Sequence, residues 1–115
     1  MNIVITGAST GIGAATAREL AAGNSLFLQY HSSEAAAEAV ADDVRAVGGA
    51  ARLFKADLRT EAGCRSLCDS VASATGTVDV LVNNAGGLVR RQPCGEFDWA
   101  LMEEIFALNT FQARW

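Results

Sequence analysis

The chain has 115 residues, half of them hydrophobic, with one proline and a net charge of −4. That length predicts one domain, residues 1–115, that buries roughly 65% of its unfolded surface, and the composition excludes disordered and collagen-like chains. The only adjacent basic pair is Arg90 and Arg91. Without a basic stripe, no nucleic-acid partner is expected.

Strand-forming residues follow Met1 at once, without the charged and apolar regions of a secretory signal. No apolar run approaches the length that crosses a bilayer. The sequence therefore predicts a cytoplasmic protein without a membrane partner.

The first predicted strand, Asn2–Thr6, leads into a glycine-rich turn, Thr6–Gly13, and then into a helix over Ile12–Ala22. Glycines allow a sharp bend and a close approach to a ligand, and the first N–H groups of the new helix can bind an anion. The turn predicts a phosphate site, with a dinucleotide pyrophosphate as its natural ligand. A plain strand-to-helix turn is the alternative, because glycine spacing alone is a weak signal.

Further strands and helices alternate along the chain. Strands are predicted at Ser25–Tyr30, Ala51–Ala56 and Val78–Val82, and helices run from the N-cap Ser33 to Val47 and over Thr60–Ala74. This alternation predicts an α/β fold, a Rossmann-type parallel sheet with flanking helices that stops after about four strands.

The helical periodicity indicates which side chains face the core. The predicted buried residues are Val40, Val44 and Val47 in the second helix and Cys64, Leu67, Cys68 and Val71 in the third. The two cysteines are interpreted as core residues, since His31 and Cys94 offer no zinc spacing. No metal site is predicted.

A last helix is predicted from Phe97 to the C-terminus, and it is apolar on more than one side. Its apolar residues are Trp99, Leu101, Met102, Ile105, Phe106, Leu108 and Phe111. One sheet face cannot cover all of them, which favours a homo-oligomer that forms through this helix. Burial beneath segments that the chain lacks is the alternative.

Polar residues follow the ends of several predicted strands, where ligands bind in open α/β sheets. They are Asp57, the segment Asn83–Gly86, and Asn109 in the last helix. Together with Thr6–Gly13 they resemble the short-chain dehydrogenase/reductase family across essentially the whole chain. The spacing of three residues between Gly7 and Gly11 is similar to that of its classical subtype.

The resemblance implies a set of site residues. Its cofactor-binding positions here are Gly7, Ser9, Thr10, Gly11, Ile12, Gly13, Tyr30, His31, Ser32, Asp57, Leu58, Asn83, Ala85 and Gly86. The resemblance also assigns Asp57 and Leu58 to adenine and Asn109 to a water that connects the catalytic lysine with solvent.

Simpler roles stay open for several of these residues. Asp57 could cap or turn the chain ahead of the third helix, and Asn83–Gly86 could be an ordinary turn. Asn109 could cap the last helix where it frays, since asparagine is a poor residue for a helix interior.

The end of the second strand bears on the choice of cofactor. NAD-binding units usually place a carboxylate there to accept from the ribose 2′-OH, whereas this strand is followed by His31, Ser32 and Ser33. These donors and the helix N-terminus suit a 2′-phosphate, so NADP is favoured over NAD. A solvated loop role for His31 is the alternative.

Catalysis in the family uses a serine, a tyrosine and a lysine four residues after that tyrosine. This chain has one tyrosine, Tyr30, and its lysine is Lys55. The resemblance implies the cofactor-binding N-terminal part of an NAD(P)-dependent oxidoreductase that acts on a small carbonyl or alcohol, truncated and inactive alone. The alternative is a non-catalytic nucleotide-binding or assembly module.

Overall fold

The structure is a computed structural model that describes residues 1–87, 92–96 and 98–111, without the side chains of Cys94 and Phe111. Predictions that concern Arg90, Arg91, Phe97 or those two side chains lie outside the described residues. The elements are β1 (Asn2–Ile5), α1 (Gly11–Glu19), β2 (Ser25–Tyr30), α2 (Glu34–Ala46), β3 (Ala50–Lys55), α3 (Glu61–Ala74), β4 (Val80–Val82) and α4 (Trp99–Phe106). A π-helical segment, Ala107–Phe111, continues α4.

The four strands form one parallel sheet in the order β3-β2-β1-β4. The chain builds β1, β2 and β3 outward in one direction and then crosses to the opposite side of β1 for β4. The predicted Rossmann-type sheet is therefore confirmed. The strand order reverses between β1 and β4, and the carboxyl ends at such a switch point are where ligands bind in open α/β sheets.

Alternating side chains of the strands fill two cores, one on each sheet face. Ile3 and Ile5 of β1 pack with Leu26 and Leu28 of β2 in the core that includes residues of α1 and α2. Val4 points the other way, into the core that includes residues of α3. Full burial of each large aliphatic side chain contributes about 2 kcal/mol to the stability of the folded state.

The boundaries of α1 and α4 differ from the predicted ones for reasons visible in their caps. Helix α1 ends at Glu19 rather than Ala22, and the side-chain amide of Asn24 donates to the Leu20 carbonyl just beyond the helix, at 2.8 Å. At the start of α4, the Asp98 carboxylate accepts a 2.7 Å hydrogen bond from Leu101 N–H. Asp98 is thus the N-cap of that helix.

Two residues predicted to be buried are exposed. Val47 follows the end of α2 and is 56% exposed, because the returning chain at Gly49 takes the place beside Val44. Cys68 is exposed although Cys64 is buried. It borders an apolar groove with Val78 and Leu81, beside a part of the sheet face that α3 leaves open.

This difference predicts unequal effects of two matched substitutions in α2 and its end. Val44→Ala removes two methyl groups from a fully buried side chain and should lower the free energy of unfolding by about 2 kcal/mol. Val47→Ala should change it by less than about 0.5 kcal/mol. Urea denaturation measures both, and equal losses would contradict the observed end of the helix.

Candidate functional site: the carboxyl edge of the sheet

The glycine turn bends at two residues with a left-handed backbone. Gly7 has φ +64° and Gly11 has φ +57°. At Gly7 space is short as well, since a Cβ would lie 3.0 Å from the Ala85 Cα. Any other residue would be strained at both positions.

Gly13 allows helix α1 to begin directly against this turn. A Cβ at Gly13 would lie 2.2 Å from the Gly7 carbonyl oxygen and 2.5 Å from the Asn84 side-chain nitrogen. Real side chains never approach so closely, so only glycine fits. The first turn of α1 is thereby aimed over the end of β1.

The N-terminus of α1 is open toward solvent. Thr10 occupies the N-cap with an extended backbone, but its side chain makes no capping hydrogen bond. The neighbouring Ile12 is 79% exposed. An uncapped helix N-terminus directs N–H groups and a partial positive charge toward an anion.

A polar network joins the ends of β1 and β4. The Thr6 hydroxyl accepts hydrogen bonds from the N–H groups of Asn84 and Ala85, both at 3.0 Å. The Asn84 side chain donates to the carbonyl oxygens of Thr6 and Gly7, both at 3.1 Å. The segment after β4 is thus fixed against the glycine turn.

These elements border one open cavity of about 500 Å³. Its lining includes most of the predicted cofactor-binding residues: Gly7, Ser9, Thr10, Gly11, Ile12, Tyr30, His31, Ser32, Asp57, Leu58, Ala85 and Gly86. Gly13 is buried behind the turn, and Asn83 is exposed outside the lining. The lining also contains Gln29, Ser33, Arg59, Asn84 and Leu108.

The end of β2 contributes a buried ring and exposed polar groups. Tyr30 is only 7% exposed, while His31, Ser32 and Ser33 are exposed. Burial raises the pKa of the Tyr30 phenol, and the charges of Glu34 and Glu38 and a hydrogen bond with Glu34 add to the rise. The phenol therefore stays protonated near neutral pH.

Arg59 is a site residue that the sequence analysis missed. Its guanidinium forms two hydrogen bonds of 2.9 Å with the Asp57 carboxylate, which also accepts from the Arg59 N–H at 3.0 Å. These side-chain bonds hold the pKa of Asp57 at about 2, below its ordinary 3.8. Arg59 also lies 3.8 Å from a Glu104 oxygen of α4.

The position of Arg59, two residues after an aspartate, was the signal available in the sequence. Asp57 forms the turn ahead of α3, and Thr60 rather than Asp57 is the N-cap, because its hydroxyl accepts from Gly63 N–H at 3.0 Å. The turn role left open for Asp57 is therefore present alongside its place in the cavity.

Gln29 was missed for a different reason. It is a polar residue in an apolar strand, only 3% exposed, and its side chain accepts from Gly7 N–H at 2.7 Å. The same amide donates to the Ala56 carbonyl at 2.8 Å. A buried amide in such a strand signals a fixed set of partners, but the sequence does not show which ones.

Asn109 lies in the π-helical segment that continues α4. Its side-chain oxygen accepts from Gly87 N–H at 2.8 Å, and its nitrogen donates to the carbonyls of Gly87 and Ile105 at 2.9 and 3.0 Å. Gly86 is close as well, since a Cβ there would lie 2.7 Å from the Asn109 oxygen. Asn109 thus ties the helix to the segment after β4.

No three His, Cys, Asp or Glu side chains among residues 1–87, 92–96 and 98–111 converge as metal ligands would. In the same part of the chain, no helix combines the length and apolarity that a bilayer crossing requires.

The sequence pattern that defines the family described as short chain dehydrogenase matches residues 1–114. The chain belongs to that family. The resemblance seen in the sequence is thereby confirmed, and the sheet with its glycine turn is the short-chain dehydrogenase arrangement.

Similar family members are longer than this chain. An uncharacterized oxidoreductase of Methylorubrum extorquens is 39% identical over 103 residues, which cover 89% of this chain and 38% of that protein. A metagenomic short-chain oxidoreductase in complex with NADP is 34% identical with a TM-score of 0.91, over 99% of this chain and 52% of that one. An NADH-dependent reductase complexed with NAD is also 34% identical with a TM-score of 0.90, over 98% and 47%.

The contact between Gly13 and the turn predicts a severe effect of Gly13→Ala. The added Cβ would overlap the Gly7 carbonyl, and the free energy of unfolding should fall by about 2 kcal/mol or more. Gly76→Ala is the control, because nothing lies within 4 Å of a Cβ there. It should change stability by less than about 0.5 kcal/mol in the same urea titration.

The low pKa of Asp57 predicts a pH-dependent contribution to stability. Because the folded pKa of about 2 lies below the ordinary 3.8, the contribution is present above the higher value and is lost as the pH falls through the lower one. Solvent screening limits it to about 1 kcal/mol. The stability difference between wild type and Asp57→Asn should therefore shrink from about pH 5 to about pH 2.

Urea unfolding at a series of pH values measures this difference. The Arg59→Met background is the control, because without the guanidinium the pKa of Asp57 should return toward its ordinary value. The effect of Asp57→Asn on stability should then vary little between about pH 5 and about pH 2. A difference between wild type and Asp57→Asn that is constant with pH would contradict the prediction.

Proposed function

We propose that these residues form the cofactor-binding part of an NAD(P)-dependent oxidoreductase that interconverts small carbonyls and alcohols. The observation that carries the proposal is the cavity at the strand switch point, bordered by a glycine turn and an uncapped helix N-terminus. Because the chain covers 38% to 52% of the relatives described above, the activity is proposed for the longer protein.

The shape and charge of the cavity fit a dinucleotide. Gly7 leaves room for the pyrophosphate because it has no Cβ, and the N–H groups at the N-terminus of α1 would bind it, since the Gly7 N–H is already bonded to Gln29. Asp57, which is ionised above about pH 2, would accept from the adenine amino group, and the backbone of Leu58 would contact the ring. Ala85 and Gly86 would border the nicotinamide riboside.

NADP is the proposed preference over NAD. The residues that follow β2 and line the cavity are His31, Ser32 and Ser33, none of them a carboxylate. Ser33 is also the N-cap of α2 and makes no side-chain capping bond. Hydroxyls and an uncapped helix N-terminus are suited to a 2′-phosphate. Related structures hold NAD in one case and NADP in another.

The residues of this chain would bind and orient the cofactor, but they do not supply the family's proton donor. When bound, a nicotinamide cofactor supplies or accepts hydride. Asn109 would hold the water that connects the catalytic lysine with solvent, and its bonds to Gly87 fix its orientation. Tyr30, whose pKa is raised, is not proposed as a catalytic acid. The 115 residues alone are proposed to be inactive in carbonyl reduction.

Helix α4 is proposed as a contact between copies of the protein. Trp99 is 71% exposed and Phe106 is 46% exposed, and large exposed apolar side chains are typical of interfaces. A cytoplasmic location and a small-molecule substrate complete the proposal.

Binding of the reduced cofactor tests this function directly. NADPH added to the purified protein should give saturable fluorescence enhancement, with a lower Kd than NADH. The variant Ser32→Asp places a carboxylate beside the proposed 2′-phosphate and should raise the Kd of NADPH about tenfold, with little effect on NADH.

A matched variant separates this local effect from net charge. Ser70→Asp adds the same charge to an exposed position of α3 and should leave both dissociation constants unchanged. If the purified protein bound neither NADPH nor NADH, the cofactor proposal would be refuted. Tighter binding of NADH than of NADPH by the wild type would refute only the preference.

A further inference from the structure

The side-chain amide of Gln29 joins two parts of the cavity that lie on different elements. Its oxygen accepts from Gly7 N–H at 2.7 Å, and its nitrogen donates to the Ala56 carbonyl at 2.8 Å. Its backbone carbonyl also accepts from Ala8 N–H at 2.9 Å. One residue of β2 thus contacts both the glycine turn and the residue that precedes Asp57.

These bonds lie beyond the regular ladder between β1 and β2. The paired register of these strands ends at Ile5 and Leu28. On the other side, β2 and β3 stay paired up to Tyr30 and Lys55. Past Ile5, where the chain leaves the sheet to form the turn, Gln29 is the residue of β2 that holds it.

The chemistry of the amide makes the link specific. The amide oxygen needs a donor and the amide nitrogen needs an acceptor, and the two atoms lie on opposite sides of a planar group. Because the residue is only 3% exposed, water does not easily replace either partner. A shorter or one-sided group would leave a buried N–H or C=O without its partner. The amide therefore links the two segments directly, in addition to the backbone bonds that hold each of them to β2, from Ala8 to Gln29 and from Ala56 to Tyr30.

We propose that Gln29 is a positioning residue for the dinucleotide, whose side chain fixes the glycine turn relative to the adenine-contacting segment Asp57–Leu58. The inference rests on the proposed function, since both segments must contact the same ligand. A displacement of either segment would weaken the binding of a dinucleotide more than the binding of a fragment that contacts one segment alone.

The variant Gln29→Glu tests the proposal through pH. A protonated glutamic acid has the same shape, and it can accept from Gly7 N–H while its hydroxyl donates to the Ala56 carbonyl. Once ionised, it has no proton for Ala56 and repels that oxygen. Burial raises the pKa of such a carboxyl, so ionisation should occur between about pH 5 and about pH 8.

The measured quantity is the ratio of the NADPH Kd of the variant to that of the wild type. The ratio should be close to one at the acid end and should rise about tenfold or more at the alkaline end. Taking the ratio cancels titrations that are the same in both proteins. The charged and titratable groups in and beside the cavity include Tyr30, His31, Glu34, Glu38, Lys55, Asp57, Arg59 and Glu104. Adenosine should bind both proteins equally across the series, because it needs only one of the two segments.

Two further variants complete the experiment. Gln92→Glu makes the same change outside the cavity and should bind NADPH as the wild type does at every pH. Gln29→Met has similar length without polar atoms, so it should remain folded by circular dichroism and bind NADPH more weakly, independently of pH.

Each result bears on the proposal in a defined way. A constant ratio for Gln29→Glu, or equal weakening of adenosine and NADPH, would overturn it. Failure of both Gln29 variants to fold would make the residue purely structural and would also overturn it. If the wild type itself bound no dinucleotide, the proposed function would have failed first.

Discussion

Helix α1 begins in direct contact with the turn that precedes it, and this contact depends on the missing side chain of Gly13. With a Cβ only 2.2 Å from the Gly7 carbonyl, any other residue would push the helix away from the sheet. The N-terminus of α1 would then no longer face the cavity. The anion-binding geometry therefore rests on a steric constraint rather than on a charged side chain.

Polar side chains take over where the strand ladder stops. At the carboxyl edge, Thr6, Gln29 and Asn84 satisfy backbone groups of three adjoining segments. A description of a Rossmann unit by its strands and helices alone leaves out these side-chain bonds. Breaking one of these bonds would leave a buried backbone group unsatisfied, at a cost of about 1–3 kcal/mol, so they hold the edge in place. They do not use the first N–H groups of α1, which stay available for a ligand.

The sequence was sufficient for the fold because the alternation of apolar strands and amphipathic helices is local information. Ser25–Tyr30 was predicted with the observed bounds. Most residues predicted from the glycine turn and the strand ends also line one cavity. Their binding roles stay predictions.

The errors and omissions involve information that is not local. Val47 has the periodicity of the buried stripe, but the path of the chain at Gly49 decides its exposure. Cys68 has helical spacing from Cys64, but its burial depends on what covers the neighbouring part of the sheet. The partners of Gln29 follow from strand register, which a single sequence does not give. Arg59 is the exception, because its main partner Asp57 lies two residues before it in the sequence.

The pairing of β1 with β4 has a consequence for how the protein folds. Ile3 is paired with Val80, so the neighbour of the first strand is separated from it by most of the chain. Closing such a long loop is slow and comes after local helices have formed. The glycine turn is complete in the growing chain by residue 13, yet it can acquire its final shape only after Asn84 has been synthesised.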